Sequence, residues 1–390
     1  MKQVLRRVLD SAGKVRVEEV PAPSNGRNGL LVDVRRSLIS SGTERGTLAK
    51  TPLELTRLVM TDPWMRKAVM QMLSGGISAT ANKVVDELKL PREIGYSGAG
   101  IVLAAGEGVS GLKVGERVAY AAAGHASVVS VSKALTVPIP EAVSFEEACF
   151  STVGAIALNG VRKSGATLGE KVAVLGLGLV GQLTAQLLLA AGCEVIGVDI
   201  SEAKIASAKA AGVHFAVNSA TSDAVNIVRD YCAGQGADRV IICAQTQDEK
   251  LANDAMKMCR AQGQVTFVGI VAMNLERMPF FQGELNLNFA RAYGPGIMDA
   301  AFERGEREYP KEYVPFTARD NMATFLRLVG EGKVDVKRFI SASYPIDRAQ
   351  EAYDSIFAKT STNIAVVLEY PETTLAAAKA DNALTHPSPK

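Results

Sequence analysis

Three glycines in Gly176-Leu177-Gly178-Leu179-Val180-Gly181 follow the apolar run Lys171-Val172-Ala173-Val174-Leu175 and precede a helix-like stretch from Gln182 to Ala191. That order suits an anion cradle. The first glycine permits a tight strand-to-helix turn, the second lets a pyrophosphate approach the backbone, and the third lets the helix pack close to the strand. Leu179 and Val180 lie in the opening turn, where a helix N-terminus offers unpaired N–H groups and the positive end of its dipole. Downstream, Asp199 closes a second apolar run, Glu194 to Asp199, where a carboxylate accepts hydrogen bonds from ribose hydroxyls. The same charge repels a 2′-phosphate, which favours NAD over NADP, with Lys204 a turn further on. The plainer alternative is that these glycines only pack a βα turn in a sheet that binds nothing, or binds a mononucleotide.

Metal chemistry has few donors to draw on. Residues 1–148 contain no cysteine and a single histidine, His125; His214 and His386 lie far along the chain. The five cysteines (Cys149, Cys193, Cys232, Cys243, Cys259) show no C-x-x-C spacing, so neither a four-cysteine structural zinc lobe nor a disulfide framework is expected. A reducing, cytoplasmic setting fits this usage. Lys and Arg number 43 against 41 Asp and Glu, a net charge of +2, which argues against nucleic acid or anionic membrane as the partner. The apolar stretch from Val172 to Gly192 contains too many glycines to read as a membrane span, and the N-terminus lacks a signal-peptide pattern.

At 390 residues the chain is expected to form at least two domains. Residues 1 to about 150 carry short strand-like runs, at 30–34, 100–104 and 115–120. A helical insertion is expected at about 51–90, where Leu and Met recur at helical spacing; Met60, Met65, Met70 and Met72 read as core or lid. From about 150 to 297 strand and helix alternate. Ser201 stands as the cap of the helix that follows Asp199, strands are expected at 239–243 and 264–269, and a helix at 251–260. Alternation of this kind means a doubly wound parallel sheet. After 297 come a polar, Tyr-rich loop, a helix at about 321–330, a strand at 363–369 and a disordered tail at 371–390.

The glycine fingerprint together with Leu38-Ile39-Ser40-Ser41-Gly42-Thr43-Glu44-Arg45, Ile94-Gly95-Tyr96-Ser97-Gly98-Ala99-Gly100 and Tyr293-Gly294-Pro295-Gly296 resembles the medium-chain dehydrogenase/reductase superfamily. More narrowly, it resembles the N-terminal half of bi-domain oxidoreductases of polysaccharide and glycoside biosynthesis; the Ser-Gly-Thr-Glu-Arg stretch is also similar to bacteriochlorophyllide-type alcohol dehydrogenases. The resemblance implies an α/β protein with a Rossmann nucleotide-binding domain at 150–297 and a GroES-like, partly open β-barrel catalytic domain at 1–149 and 298–370. It also implies a homodimer and, since this chain lacks the second half, a separately encoded partner oxidoreductase.

Where zinc-dependent members of that superfamily place metal ligands, this sequence matches Ser41, Tyr96-Ser97 and Ala148 or Thr152, none a good zinc ligand. The expected enzyme is therefore zinc-independent, and side chains must handle proton and oxyanion. Thr43 resembles the superfamily's relay hydroxyl or is a loop hydroxyl bonded to backbone. Glu44 is a general base or a partner of Arg45. Tyr96, at the metal-binding His position, donates to the substrate oxygen or is a core residue.

The resemblance puts Thr152 beside the nicotinamide and Gly269 on the strand beneath it, although a helix cap and a tight turn suit them as well. His125 and Tyr293 are candidate substrate-lining residues, each with a structural alternative. The Tyr309–Tyr313 loop suits either stacking on a sugar or an oligomer contact. The leading expectation is hydride transfer between NAD and a secondary alcohol or ketone on a sugar or natural-product scaffold. An enoyl or quinone reductase and a nucleotide-binding sensor without turnover are the alternatives.

Overall fold

A computed structural model of the chain describes residues 5–11, 14–40, 42, 92–358 and 363–372. The expected helical insertion at 51–90, the residues Ser41, Thr43 and Glu44, and the tail from 373 onward lie outside the described residues.

The chain opens with β1 (Leu5–Ser11), β2 (Lys14–Val20), β3 (Gly29–Ser40), β4 (Arg92–Glu93), β5 (Ser97–Ala105), β6 (Arg117–Ala121), β7 (Val128–Ser132) and β8 (Thr136–Pro138). β1 pairs with β2 and β4 in a small antiparallel sheet. The long β3 pairs with both β5 and β7, and β5 continues the sheet through β6 to β8. The expected strand at 30–34 is the first part of β3, which runs on to Ser40 with almost every residue buried. Burial on both faces removes the polar alternation that would have marked its length.

The second sheet is built from β9 (Lys171–Leu175), β10 (Glu194–Asp199), β11 (Phe215–Asn218), β12 (Ala237–Ile242), β13 (Cys259–Phe267) and β14 (Asn286–Phe289), in the order β11-β10-β9-β12-β13-β14. Every pairing in it is parallel. This is the doubly wound nucleotide-binding order, which reverses direction between β9 and β12 and leaves a crevice beyond their carboxyl ends. β13 begins well before the expected 264. Cys259 already pairs with Ala237 there, and the register shifts before the ladder resumes at Arg239–Gln264.

The chain then returns to the first sheet. β16 (Ala365–Glu369) lies antiparallel to β3, with Ala365 opposite Ser40 and Glu369 opposite Arg36, and β15 (Ile340–Pro345) adds outside it. The helix expected at 321–330 starts at Ala318. Thr317 and Asp320 form a reciprocal capping box: the Thr317 N–H donates to Asp320 Oδ2 at 2.8 Å, and the Asp320 N–H donates to Thr317 Oγ1 at 3.3 Å.

Helix Ser151–Ser164 joins the two sheets. It packs on helix Leu179–Ala190 and on helix Ala318–Gly330, and one continuous apolar core holds Leu38 and Ala119 from the first sheet, Val172 and Ile241 from the second, and Phe325 between them. A Cβ on Gly154 would fall on the Phe325 ring, so this glycine lets the helices close. No helix among the described residues is long and apolar enough to cross a membrane, and all five cysteines are free.

Phe325 is completely buried at that junction. Replacing it with alanine is expected to cost about 3–5 kcal/mol, the range for truncating a buried aromatic ring. Urea unfolding measures this, and a loss below about 1 kcal/mol would show that the two sheets do not share this core.

Candidate active site

The fingerprint loop lies where the sheet order reverses. Gly176 follows β9 at φ +90°, and a Cβ there would strike Ala244 at the end of the neighbouring strand β12. Gly181, in the first turn of helix Leu179–Ala190, comes so close to the Gly176 carbonyl oxygen that a Cβ has no room. Gly178 is different. It is the N-cap of that helix at an ordinary φ of −68°, and a Cβ there would meet nothing within 4 Å. Two of the glycines are required by the protein's own packing, while the third opens onto free space in front of a helix N-terminus, where a phosphate group fits.

Asp199 fixes this loop from the side. Its Oδ2 accepts the Leu177 N–H at 2.6 Å and its Oδ1 the Ser201 N–H at 2.9 Å. Each oxygen keeps a lone pair for a further donor. Ser201 occupies the expected N-cap of helix Glu202–Ala210, but its side chain makes no capping bond; its backbone instead completes the grip on Asp199. Gly269 follows β13, and a Cβ on it would strike the Ala244 carbonyl. Close packing of adjacent loops accounts for that glycine.

On the facing sheet, Tyr96 is half-buried and its hydroxyl lies 2.9 Å from Ser40 Oγ. Ser97 donates its hydroxyl to the Cys149 carbonyl at 2.6 Å, and the Thr152 N–H reaches Ser97 Oγ at 3.4 Å. Thr152 itself is completely buried and donates its hydroxyl to the Tyr120 carbonyl at 3.3 Å. That bond supports the structural alternative for Thr152: the hydroxyl ties the start of helix Ser151–Ser164 to β6.

His125 changes role. It is completely buried, its Nδ1 lies 2.7 Å from Ser37 Oγ, and Ser37 in turn bonds the Tyr370 hydroxyl at 2.8 Å. Its ring meets Tyr353 edge-on and fills the space over Gly95. A ring with no exposed surface lines no cleft, so His125 is a core residue.

Tyr293 stays at the boundary between the sheets, packed on the shared core. Its carbonyl accepts from Asn321 Nδ2 at 2.8 Å, while Asn159 Nδ2 holds the preceding carbonyls of Arg291 and Ala292. Burial, aided by the Glu303 carboxylate, pushes the Tyr293 hydroxyl up to about 12, so it remains a neutral donor at physiological pH. The Tyr309 ring stacks on Phe302 and its hydroxyl donates to Asp299, which leaves Tyr313 as the exposed aromatic of that loop.

The sequence pattern singles out Ser41 and gives no signal for its neighbour Ser40. Strand parity separates adjacent serines only when one face is solvated, and β3 is buried on both.

A family profile described as "Zinc-binding dehydrogenase" matches residues 180–305. An alcohol dehydrogenase of Geobacillus stearothermophilus is 27% identical over 271 residues, covering 62% of this chain and 76% of that protein. A sorbitol dehydrogenase of Halalkalibacterium halodurans is 25% identical over 310 residues, covering 71% and 83%. Among solved structures, 2R,3R-butanediol dehydrogenase from Bacillus subtilis superposes with a TM-score of 0.70 at 18% identity, over 94% of this chain and 100% of that one. These proteins are dehydrogenases, and the chain resembles them in sequence and shares their fold. The chain is an oxidoreductase.

Among the described residues, those matched to the zinc-ligand positions do not fit a catalytic zinc. Zinc needs converging thiolate, imidazole or carboxylate donors, whereas Tyr96 and Ser97 are neutral hydroxyls bonded to Ser40 and to the Cys149 carbonyl. The Cys149 thiol is fully buried, donates to the Glu146 carbonyl at 3.1 Å, and is held far above the ordinary thiol range by burial. Among the described residues no three His, Cys, Asp or Glu side chains converge on a common point.

The two kinds of glycine predict opposite phenotypes. Gly178→Ala should fold with an unchanged Tm yet bind NADH about tenfold or more weakly, while Gly181→Ala should lower the Tm outright. Thermal melts and fluorescence titration separate the two, and a Gly178→Ala variant with native affinity would contradict a phosphate at this position.

Proposed function

We propose that this chain is a zinc-independent, NAD-dependent dehydrogenase that moves hydride between the nicotinamide and a secondary alcohol or ketone carbon on a sugar or natural-product scaffold. Residues 1–149 with 298–370 act as the catalytic domain and 150–297 as the nucleotide-binding domain. The observation that supports this best is the Asp199 carboxylate bonded to the Leu177 N–H beside the open face of Gly178. It sets an acceptor for ribose hydroxyls next to a place for the pyrophosphate, and its charge disfavours a 2′-phosphate.

When bound, the cofactor supplies the hydride acceptor or donor. The protein's own groups do the rest. Gly176, Gly178, Leu179, Val180 and Gly181 present the helix N-terminus, and Asp199 holds the ribose. The Gly269 backbone borders the ring, and Tyr293 lines the substrate side. With no metal-binding cluster among the described residues, the Tyr96 hydroxyl donates to the substrate oxygen and stabilises charge there. Glu44 takes up the proton, with Thr43 as the intervening hydroxyl. The substrate reading draws support from the sorbitol and alcohol dehydrogenases among the relatives. A homodimer is part of the reading, supported by the exposed Phe289 on the edge strand β14 and the exposed Phe281 in the helix before it.

A screen of sorbitol, xylitol and 2,3-butanediol with NAD, followed at the reduced-nicotinamide absorbance, should show turnover that survives a strong chelator. Zinc in stoichiometric amount, with activity lost on its removal, would refute zinc independence. Tyr96→Phe should lower kcat by about 10²-fold, the usual loss of one oxyanion donor; an unchanged kcat would remove Tyr96 from the chemistry. Asp199→Ser should narrow the kcat/KM preference for NAD over NADP by about tenfold or more, a shift of roughly 1.4 kcal/mol, and an unaltered preference would argue against its contact with the ribose.

A further inference from the structure

A cavity of about 350 Å³ opens between the end of β6, strand β7 and the short helix Ala300–Glu303. Ala122 and Leu135 give it apolar surface, while Ser130, Ser132, Glu303 and Arg304 give it polar walls. One carboxylate and one guanidinium cancel in charge, yet together with two hydroxyls they offer acceptors, donors and groups that serve as both. The guanidinium is held in place by Glu306, through Arg304 Nε at 2.9 Å and Nη2 at 2.7 Å.

Two links join this cavity to the active site. Ala122 sits at φ +64°, a conformation that side-chain-bearing residues rarely adopt, and its N–H donates to the Tyr96 carbonyl at 2.9 Å. On the other wall Met298, at φ +69°, donates its N–H to Glu303 Oε1 at 3.0 Å, and the Glu303 carboxylate acts on the Tyr293 hydroxyl. Left-handed backbone outside glycine carries a cost and persists where the surroundings hold it, commonly beside ligand sites.

We propose that this cavity is a subsite for the distal, hydroxylated end of a neutral polyol or sugar whose reacting carbon lies toward Tyr96, an inference that rests on the dehydrogenase reading above. Successive hydroxyls of such a chain donate to Glu303 and accept from Arg304. A charged end would be opposed by one of the two, and a short aliphatic diol has no hydroxyls beyond its reacting end to offer Glu303 and Arg304. The subsite therefore selects for length and hydroxylation rather than for the reacting group.

The test compares Arg304→Ala and the cavity-filling Ser130→Leu with the wild-type full chain, using sorbitol and 2,3-butanediol as probes and measuring NADH affinity in parallel. The kcat/KM ratio of sorbitol to butanediol should fall about tenfold in both variants, in line with the loss of a hydrogen-bonding partner. The sorbitol signal in saturation-transfer NMR should fall with it, and NADH affinity should stay level. An unchanged ratio with the cavity filled would overturn the subsite while leaving the dehydrogenase reading intact. If the wild type oxidises neither alcohol, the NMR signal decides alone. Sorbitol binding lost in Ser130→Leu supports the subsite, and binding retained there, or absent from the wild type, refutes it.

Discussion

The site depends on one buried carboxylate. Asp199, at the end of β10, accepts the Leu177 N–H from the fingerprint loop and the Ser201 N–H from the next helix. Hydrogen bonds to an ionised acceptor contribute about 1.5–3 kcal/mol each, and here they tie three consecutive segments into a single conformation. The loop is therefore shaped before any ligand arrives, which lowers the ordering cost of binding. Under the proposed function, the carboxylate that organises the loop also sets the preference between the two pyridine nucleotides, so architecture and specificity would come from the same atoms.

The second constraint is the core shared by the two sheets. Helix Ser151–Ser164 and Phe325 hold the carboxyl ends of β9 and β12 at a fixed distance from Tyr96 and Tyr293. The return of the chain through β16 to pair with β3 secures the end of the strand that carries Ser40. Small residues let these pieces approach: Gly154 under Phe325, and Gly160 under Val268. Tyr96 on one side and Leu177 of the fingerprint loop on the other both pack on this shared core.

Much of this was legible in the sequence because the nucleotide-binding half follows simple rules. Lys171–Leu175 and Glu194–Asp199 are observed as expected, since parallel strands buried on both faces read as apolar runs. Strands β11 and β14 were not foreseen. Asn286-Leu287-Asn288-Phe289 is too polar and short to stand out, and only its pairing with β13 makes it a strand. The fingerprint and Asp199 carried their own geometry, but partners distant in sequence did not. Nothing local tells that Ser40 meets Tyr96, or that His125 is enclosed by Ser37, Tyr353 and Gly95. Those contacts are made by tertiary packing.

The description of the matching profile names zinc, yet the described residues Tyr96 and Ser97 offer hydroxyls at the matched positions and Cys149 a buried thiol. The zinc-independent dehydrogenase proposed above would rely on the preformed nucleotide loop and on protein donors near the substrate oxygen. Calorimetric titration of the wild-type chain with NADH and with NADPH tests that dependence most directly. The account predicts one site per chain, with NADH bound about tenfold or more tightly than NADPH. The absence of heat with either nucleotide, or tighter binding of NADPH, would contradict it.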